Sequence, residues 1–412
     1  MPAPTATRSK SHKTASTNAA PEPDLKAALK LVMELMALPG LSGHEGPVRD
    51  YITQKLREAG APASTIQADD AHRRSPLGGD LGNLIFSLPG TERGPRRLLM
   101  AHMDTVPLCA GSKPVLKGRS VRSADKRTGL GADDRAGCAV VLTAALEILR
   151  RKLPHPPLTF FWPVQEEVGL FGAHYADIKL LGKPRLAFNW DGGAAEKLGV
   201  GATGAYRLSI DISGVASHAG AAPQNGVSAI TIAGLAIADL EKGGWLGDVR
   251  QADGRGTSNI GVIHGGAATN VVTDHVQIRA EARSHDRAFR KQILEAIEQA
   301  FENAAKTVKN AEGTHGKVKI ASRLDYEAFQ LAADDPSVLA AEAAARAINL
   351  EPLRAISNGG LDANWMTARG IKTVTLGCGQ QNVHTVNETL DVDAFERACR
   401  MGLRLATGTE NA

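Results

Sequence analysis

Apolar residues run along this chain in two styles. In the first, short blocks appear without polar alternation: the segment Gly82–Phe86, Arg97–Ala101, Leu158–Val164, Leu186–Trp190 and Ile371–Leu376. Such blocks suit strands buried on both faces, as in a parallel sheet covered by helices. Between them, helical spacing appears. Leu25, Ala28, Leu29, Val32, Leu35 and Met36 predict a helix from about Asp24 that Pro39-Gly40 stops. Ser42 to Glu45 reads as a capping box opening a second helix with Val48, Tyr51, Ile52 and Leu56 inside, ended by Gly60. Long helices are predicted over about Arg135–Leu153, Pro336–Ile348 and Val392–Ala406, with a loop at Asn358–Asp362.

From about Gly204 the second style takes over. Tyr206–Ile212 alternates as a half-exposed strand, and Ser258–Ile263, Val276–Ala282 and Lys317–Ser322 are further strands. Val227–Leu240 and a polar amphipathic stretch near Arg287–Val308 are helix-like. Strands with one wet face and helices on the other describe an antiparallel α+β unit. The expected fold is therefore α/β: a mostly parallel sheet flanked by helices, interrupted by an inserted α+β unit. The boundaries read from this change of style are 24–202 and 325–412 for the first unit and 203–324 for the insert. No internal repeat of fixed period is visible.

Composition narrows the class without naming a function. The chain has 412 residues, 43% apolar, 22% charged, with 43 glycines and a net charge of only +4. That is long enough for two units and a large core. No basic face with interleaved aromatics appears, which argues against nucleic acid. No run of eighteen apolar residues exists, so no membrane span is expected. Cys109, Cys138, Cys378 and Cys399 form no CxxC pair, a pattern that suits reduced thiols in a cytoplasmic enzyme. Residues 1–23 are rich in Ala, Pro, Ser and Thr and read as a disordered extension, with an organelle transit peptide as the alternative.

Chemistry gathers where the buried blocks end. Leu158–Val164 leads to the adjacent carboxylates Glu166 and Glu167, which repel each other unless a cation or a proton lies between. Arg97–Ala101 leads to His102 and Asp104, Leu186–Trp190 to Asp191, and Ile371–Leu376 to a glycine-rich stretch ending at His384. Asp133 and Asp134 open the long helix; one could cap it while the other points to a cation. Each of these residues alone has an ordinary structural reading. Together, His102, Asp133, Glu167, Asp191 and His384 offer two imidazoles and three carboxylates. Catalytic zinc holds three protein ligands with one position open, so five residues furnish two sites if one carboxylate bridges. Glu166 is left beside a ligand, suited to take a proton from water and pass it to a leaving amine.

In order along the chain stand His102-Met-Asp-Thr-Val-Pro107, Gly131-Ala-Asp-Asp-Arg-Ala-Gly137, Gln165-Glu-Glu-Val-Gly169, Asp191-Gly192, Ser217-His-Ala-Gly220 and Asn382-Val-His384. This set resembles the di-zinc exopeptidase family of peptidase T, aminoacylase-1, carboxypeptidase G and succinyl-diaminopimelate desuccinylase, over about Leu25–Leu405. The stretch Gly131–Gly137 and the two histidine segments resemble the peptidase T branch most. The resemblance implies two zinc ions, or another divalent metal, one held by His102, Asp133 and Asp191 and the other by Asp133, Glu167 and His384. It further implies Glu166 as general base, Asp104 orienting His102, and a lid that dimerises. His218, reaching a partner's active site, and Asn270 and Arg283 would contact substrate; the alternative for these three is a structural role. The implied activity is removal of the N-terminal residue from tripeptides. Two rivals are an amidohydrolase acting on N-acyl amino acids and a binding protein that has lost the chemistry. Val386-Asn-Glu388 departs from the usual tail after the last histidine, and the N-terminal extension is extra.

Overall fold

The computed structural model describes residues 20–252 and 254–411. Of the extension expected at residues 1–23, the first nineteen lie outside the described residues. Among the last four, Glu22 is tied down: it pairs with Arg400 (2.9 Å), and its carbonyl accepts from Arg151 Nη1 (2.8 Å).

A nine-stranded sheet organises the larger part of the chain. Its centre is four parallel strands in the order Leu158–Trp162, Arg97–Met100, Leu186–Trp190, Thr373–Leu376. Antiparallel strands complete both sides, Ile66–Ala68 and Leu84–Leu88 on one, Lys197–Ala202 and Phe329–Gln330 on the other. Leu353–Ser357 runs parallel to Lys197–Ala202. Both faces of the centre are covered, which explains blocks with no polar alternation. Leu99, Phe160, Trp162, Phe188 and Trp190 pack one way with the long helix Ala132–Arg151 and the final helix Val392–Thr407. Leu98, Met100, Phe161 and Ala187 pack the other way, against Ala173, Leu181, Met366 and Ile371.

The chain leaves this unit after Ala202 and builds a five-stranded antiparallel sheet from Gly204–Ser213, Gly247–Gln251, Gly254–Gly265, His275–Ser284 and Lys317–Tyr326. Leu208, Ile210, Ile212, Val276, Ile278 and Ala280 face the helices Ala229–Lys242 and Arg287–Thr307 and form a second core. The alternate positions are polar and face the first unit across a cleft. Asn364 joins the two crossings of chain: its amide nitrogen donates to Thr203 O (2.9 Å) on the way out and to Glu327 O (2.7 Å) on the way back.

Two local expectations change, and one element is new. Ser42 and Glu45 make no capping box. Glu45 is the residue before the helix Gly46–Glu58 but makes no side-chain cap, because partners from the site outcompete the helix end for both side chains. The expected loop at Asn358–Asp362 stops one residue early, since Asp362 begins the short helix Asp362–Ala368. A small sheet unforeseen in the pattern joins Pro114–Lys117, Ser120–Ser123, Thr389–Asp391 and Gln380–Gln381. Among the described residues, no helix is long and apolar enough to cross a membrane.

Candidate metal centre

The four central strands end at one edge, and ligands collect at the carboxyl ends of such strands. His102 follows the Arg97–Met100 strand, Glu166 and Glu167 follow Leu158–Trp162, and Asp191 follows Leu186–Trp190. Past the Thr373–Leu376 strand, the segment from Gly377 is zipped to the Asp191 loop by Cys378 N to Gly192 O and Gly379 N to Gly193 O, both 2.7 Å. His384 sits in the loop between the paired strands Gln380–Gln381 and Thr389–Asp391. Its backbone is left-handed (φ 61°), as is that of Gln165 (φ 55°). Strain of this kind persists only where the surroundings over-determine it.

Asp133 occupies the middle. Its Oδ1 lies 3.2 Å from His102 Nε2, and its Oδ2 lies 3.3 Å from His384 Nε2. His384 Nε2 is also 2.9 Å from Glu167 Oε2. Donor atoms of His102, Asp133 and Asp191 lie within 4.8 Å of one another, and so do those of Asp133, Glu167 and His384. Two donors at about 2.1 Å from a tetrahedral ion sit about 3.4 Å apart, close to these imidazole–carboxylate spacings. The donor set is nitrogen and carboxylate oxygen throughout, which zinc accepts. The residues present therefore fit two divalent ions sharing one carboxylate.

Charge in the cluster points the same way. Burial raises the carboxyls of Asp191 and Glu167, and neighbouring Asp133 raises both further. Burial also works against ionised Asp133, yet the imidazoles of His102 and His384 override it and hold that carboxyl below the usual range. Contacts with Asp133 and Glu167 push His384 up to about 10. Without another cation, these carboxylates draw protons onto the histidines.

Glu166 stands beside the cluster without belonging to either donor group. It is buried, and its carboxyl is raised well above the ordinary range by burial and by Asp191, Asp362 and Glu167. Asp104 is wholly buried. Its Oδ1 lies 3.3 Å from His102 Nδ1 and accepts from Glu166 N (3.0 Å), and its Oδ2 accepts from Glu167 N (3.2 Å) and Ser42 Oγ (2.6 Å). Glu45 Oε1 accepts from Gln165 N (3.0 Å) and Gly43 N (2.8 Å). Two carboxylates thus hold three consecutive amides of the turn that carries the paired glutamates. Asp134 takes the capping role: its Oδ1 accepts from Gly137 N (3.0 Å), leaving Asp133 free to face the cluster.

Several residues of the site escaped the sequence reading. Glu388 is buried and accepts from Leu130 N (2.8 Å), Gly131 N (2.7 Å) and Asp133 N (3.0 Å), clamping the segment that presents Asp133. Gln380 satisfies both neighbours when its nitrogen donates to Asp133 Oδ1 (3.2 Å) and its oxygen accepts from Gly192 N (2.8 Å). Asp362 is buried with neither carboxylate oxygen hydrogen-bonded among the described residues, and burial pushes it up to about 7. No spacing rule connects these residues to their partners.

The cluster opens on a cleft of about 1030 Å³ whose lining includes Glu166, Glu167, His384 and, from the inserted sheet, Arg283. Arg283 donates twice to Glu281, at 2.9 and 3.0 Å. His218 and Asn270 are not among the residues lining the cleft. They lie together on the insert, where Ala219 N donates to Asn270 O (2.9 Å). His218 is exposed, and its Nδ1 accepts from Gly220 N (3.1 Å) and Ala221 N (3.0 Å).

Comparison with known proteins finds a family and several relatives for this chain. The model of peptidase family M20/M25/M40 matches residues 98–408. The Bacillus subtilis (strain 168) protein YqjE is 32% identical over 377 residues, covering 91% of this chain and 96% of that protein. A tripeptidase from Staphylococcus aureus subsp. aureus Mu50 superposes with a TM-score of 0.85 at 30% identity, covering 95% of this chain and 100% of that one. The aminopeptidase PepT from Bacillus cereus ATCC 10987 gives 0.80 at 33% identity, covering 93% and 98%.

Proposed function

The chain belongs to peptidase family M20/M25/M40, and from that membership we propose that it is a metal-dependent exopeptidase of the peptidase T branch that removes the N-terminal residue of short peptides, tripeptides among them. The observation that carries this reading is Asp133 turning one oxygen to each of two imidazoles, with Glu166 buried beside the cluster but outside both donor groups. His102, Asp133 and Asp191 would hold one zinc ion and Asp133, Glu167 and His384 the other. When bound, such ions polarise the scissile carbonyl and lower the pKa of water.

The chain's own residues supply the rest. Glu166 accepts a proton from the attacking water and delivers it to the departing amine. Asp104 fixes the His102 ring and, through two amides, the position of Glu166 and Glu167. Arg283 binds the peptide from the lid, which spans 203–324. His218 meets the substrate of a partner subunit in a homodimer formed through that lid, which the exposure of His218 supports, and Asn270 is a further lid contact to substrate. The four cysteines are free and buried, which supports a reducing, cytoplasmic setting.

Purified protein offered Ala- or Leu-initiated tripeptides and a panel of N-acetyl amino acids tests the reading. Release of the N-terminal amino acid, lost on chelation and restored by zinc, is expected. Turnover of the acylated panel alone would assign the protein to the amidohydrolases instead.

A further inference from the structure

The polar face of the inserted sheet forms one wall of the cleft and carries four arginines, Arg207, Arg279, Arg283 and Arg323, but two acids, Glu281 and Asp325. Pairing across the sheet brings them together, since Arg207 lies opposite Glu281 on one side and Arg323 on the other. Arg207 bridges Glu281 (2.9 Å) and Asp325 (2.9 Å). Arg283 shares Glu281 (2.9 Å), and Arg323 shares Asp325 (3.1 Å). Three arginines therefore divide two carboxylates. Arg279 is exposed and has no ion-pair partner among the described residues. It sits four residues from Arg283 along one strand, about 13 Å, on the same face.

The opposite wall has the reverse character, with Glu166, Glu167 and the metal cluster behind them. A tripeptide lying across this cleft presents its ammonium end to that wall and its carboxylate end to the arginines. One terminal carboxylate neutralises one of the two surplus positive charges; the other stays unmatched.

We propose that this wall selects acidic short peptides, with Arg279 pairing an Asp or Glu side chain on the dipeptide that departs. The inference rests on the peptidase reading above and narrows its substrate class. Charge-assisted bonds from a guanidinium to a carboxylate are the stronger kind, but an exposed pair yields a modest preference that salt weakens.

The test uses Ala-Glu-Ala against Ala-Gln-Ala, Ala-Ala-Glu against Ala-Ala-Gln, and Ala-Ala-Ala, with kcat/KM measured at low and high salt. Glu should exceed its isostere Gln about five-fold at one or both positions in low salt, with the ratio shrinking in high salt. Arg279→Gln should bring the ratio towards one, and Arg279→Lys should keep part of it; unfolding midpoints check that both variants fold. A ratio near one at both positions in the unaltered protein, or one undiminished in Arg279→Gln, overturns the proposal. Hydrolysis of none of the five peptides would sink the peptidase reading itself, and this inference with it.

Discussion

At the scale of single residues, the neighbouring acids Glu166 and Glu167 have opposite surroundings. Glu167 lies 2.9 Å from an imidazole inside a donor group, whereas Glu166 has no place in either. Glu166→Ala is therefore expected to lower kcat by about 10³-fold with bound metal nearly unchanged, measured by steady-state kinetics beside elemental analysis. Parallel loss of both ions would make Glu166 a ligand. Glu45 offers a pH signature. Burial first, then Asp104, pushes its carboxyl up to about 7, so the folded protein holds a proton there that the unfolded chain releases near 4.5. The stability Glu45 contributes is complete below about pH 4.5 and declines as pH rises through about 7. Glu45→Gln keeps an oxygen for Gly43 N and Gln165 N but has no charge to desolvate. Its unfolding midpoint, relative to the unaltered protein, should rise between about pH 4.5 and pH 7 and level off above that; a constant difference would show that Glu45 does not titrate there.

At the scale of elements, the buried strands were legible because both faces are covered, and three members of the candidate cluster, His102, Glu167 and Asp191, were legible because they follow those strands directly. The small sheet that carries Gln380 and frames His384 was not, since its strands have two to four residues, too few to show a period. Glu388 was hidden for another reason: its bond to Asp133 N spans 255 residues. The capping box failed because Ser42 and Glu45 serve the turn before Glu166 rather than their own helix. One glycine tests how tightly the elements meet. A Cβ on Gly377 would lie 1.9 Å from Ala194 O, where the last central strand passes the Asp191 loop. Gly377→Ala should destabilise the protein by about 1–3 kcal/mol in denaturant unfolding. An unchanged midpoint would mean that the loop yields without cost.

For the whole molecule, the paired units raise the question of what completes the cleft. His218 makes its ring contacts within its own turn and stands exposed on the insert. If a second copy receives it, His218→Ala should reduce kcat by about 10²-fold or more while KM changes little, the pattern of a contact made only in the transition state. Unchanged kcat would return His218 to a turn-forming role. Asn364 bears on how the halves can move at all. One side-chain amide bonds the outgoing and the returning backbone side by side. The passage between the two units is thus fastened at a single residue, and sliding one run past the other there costs at least one of those bonds, about 1 kcal/mol each.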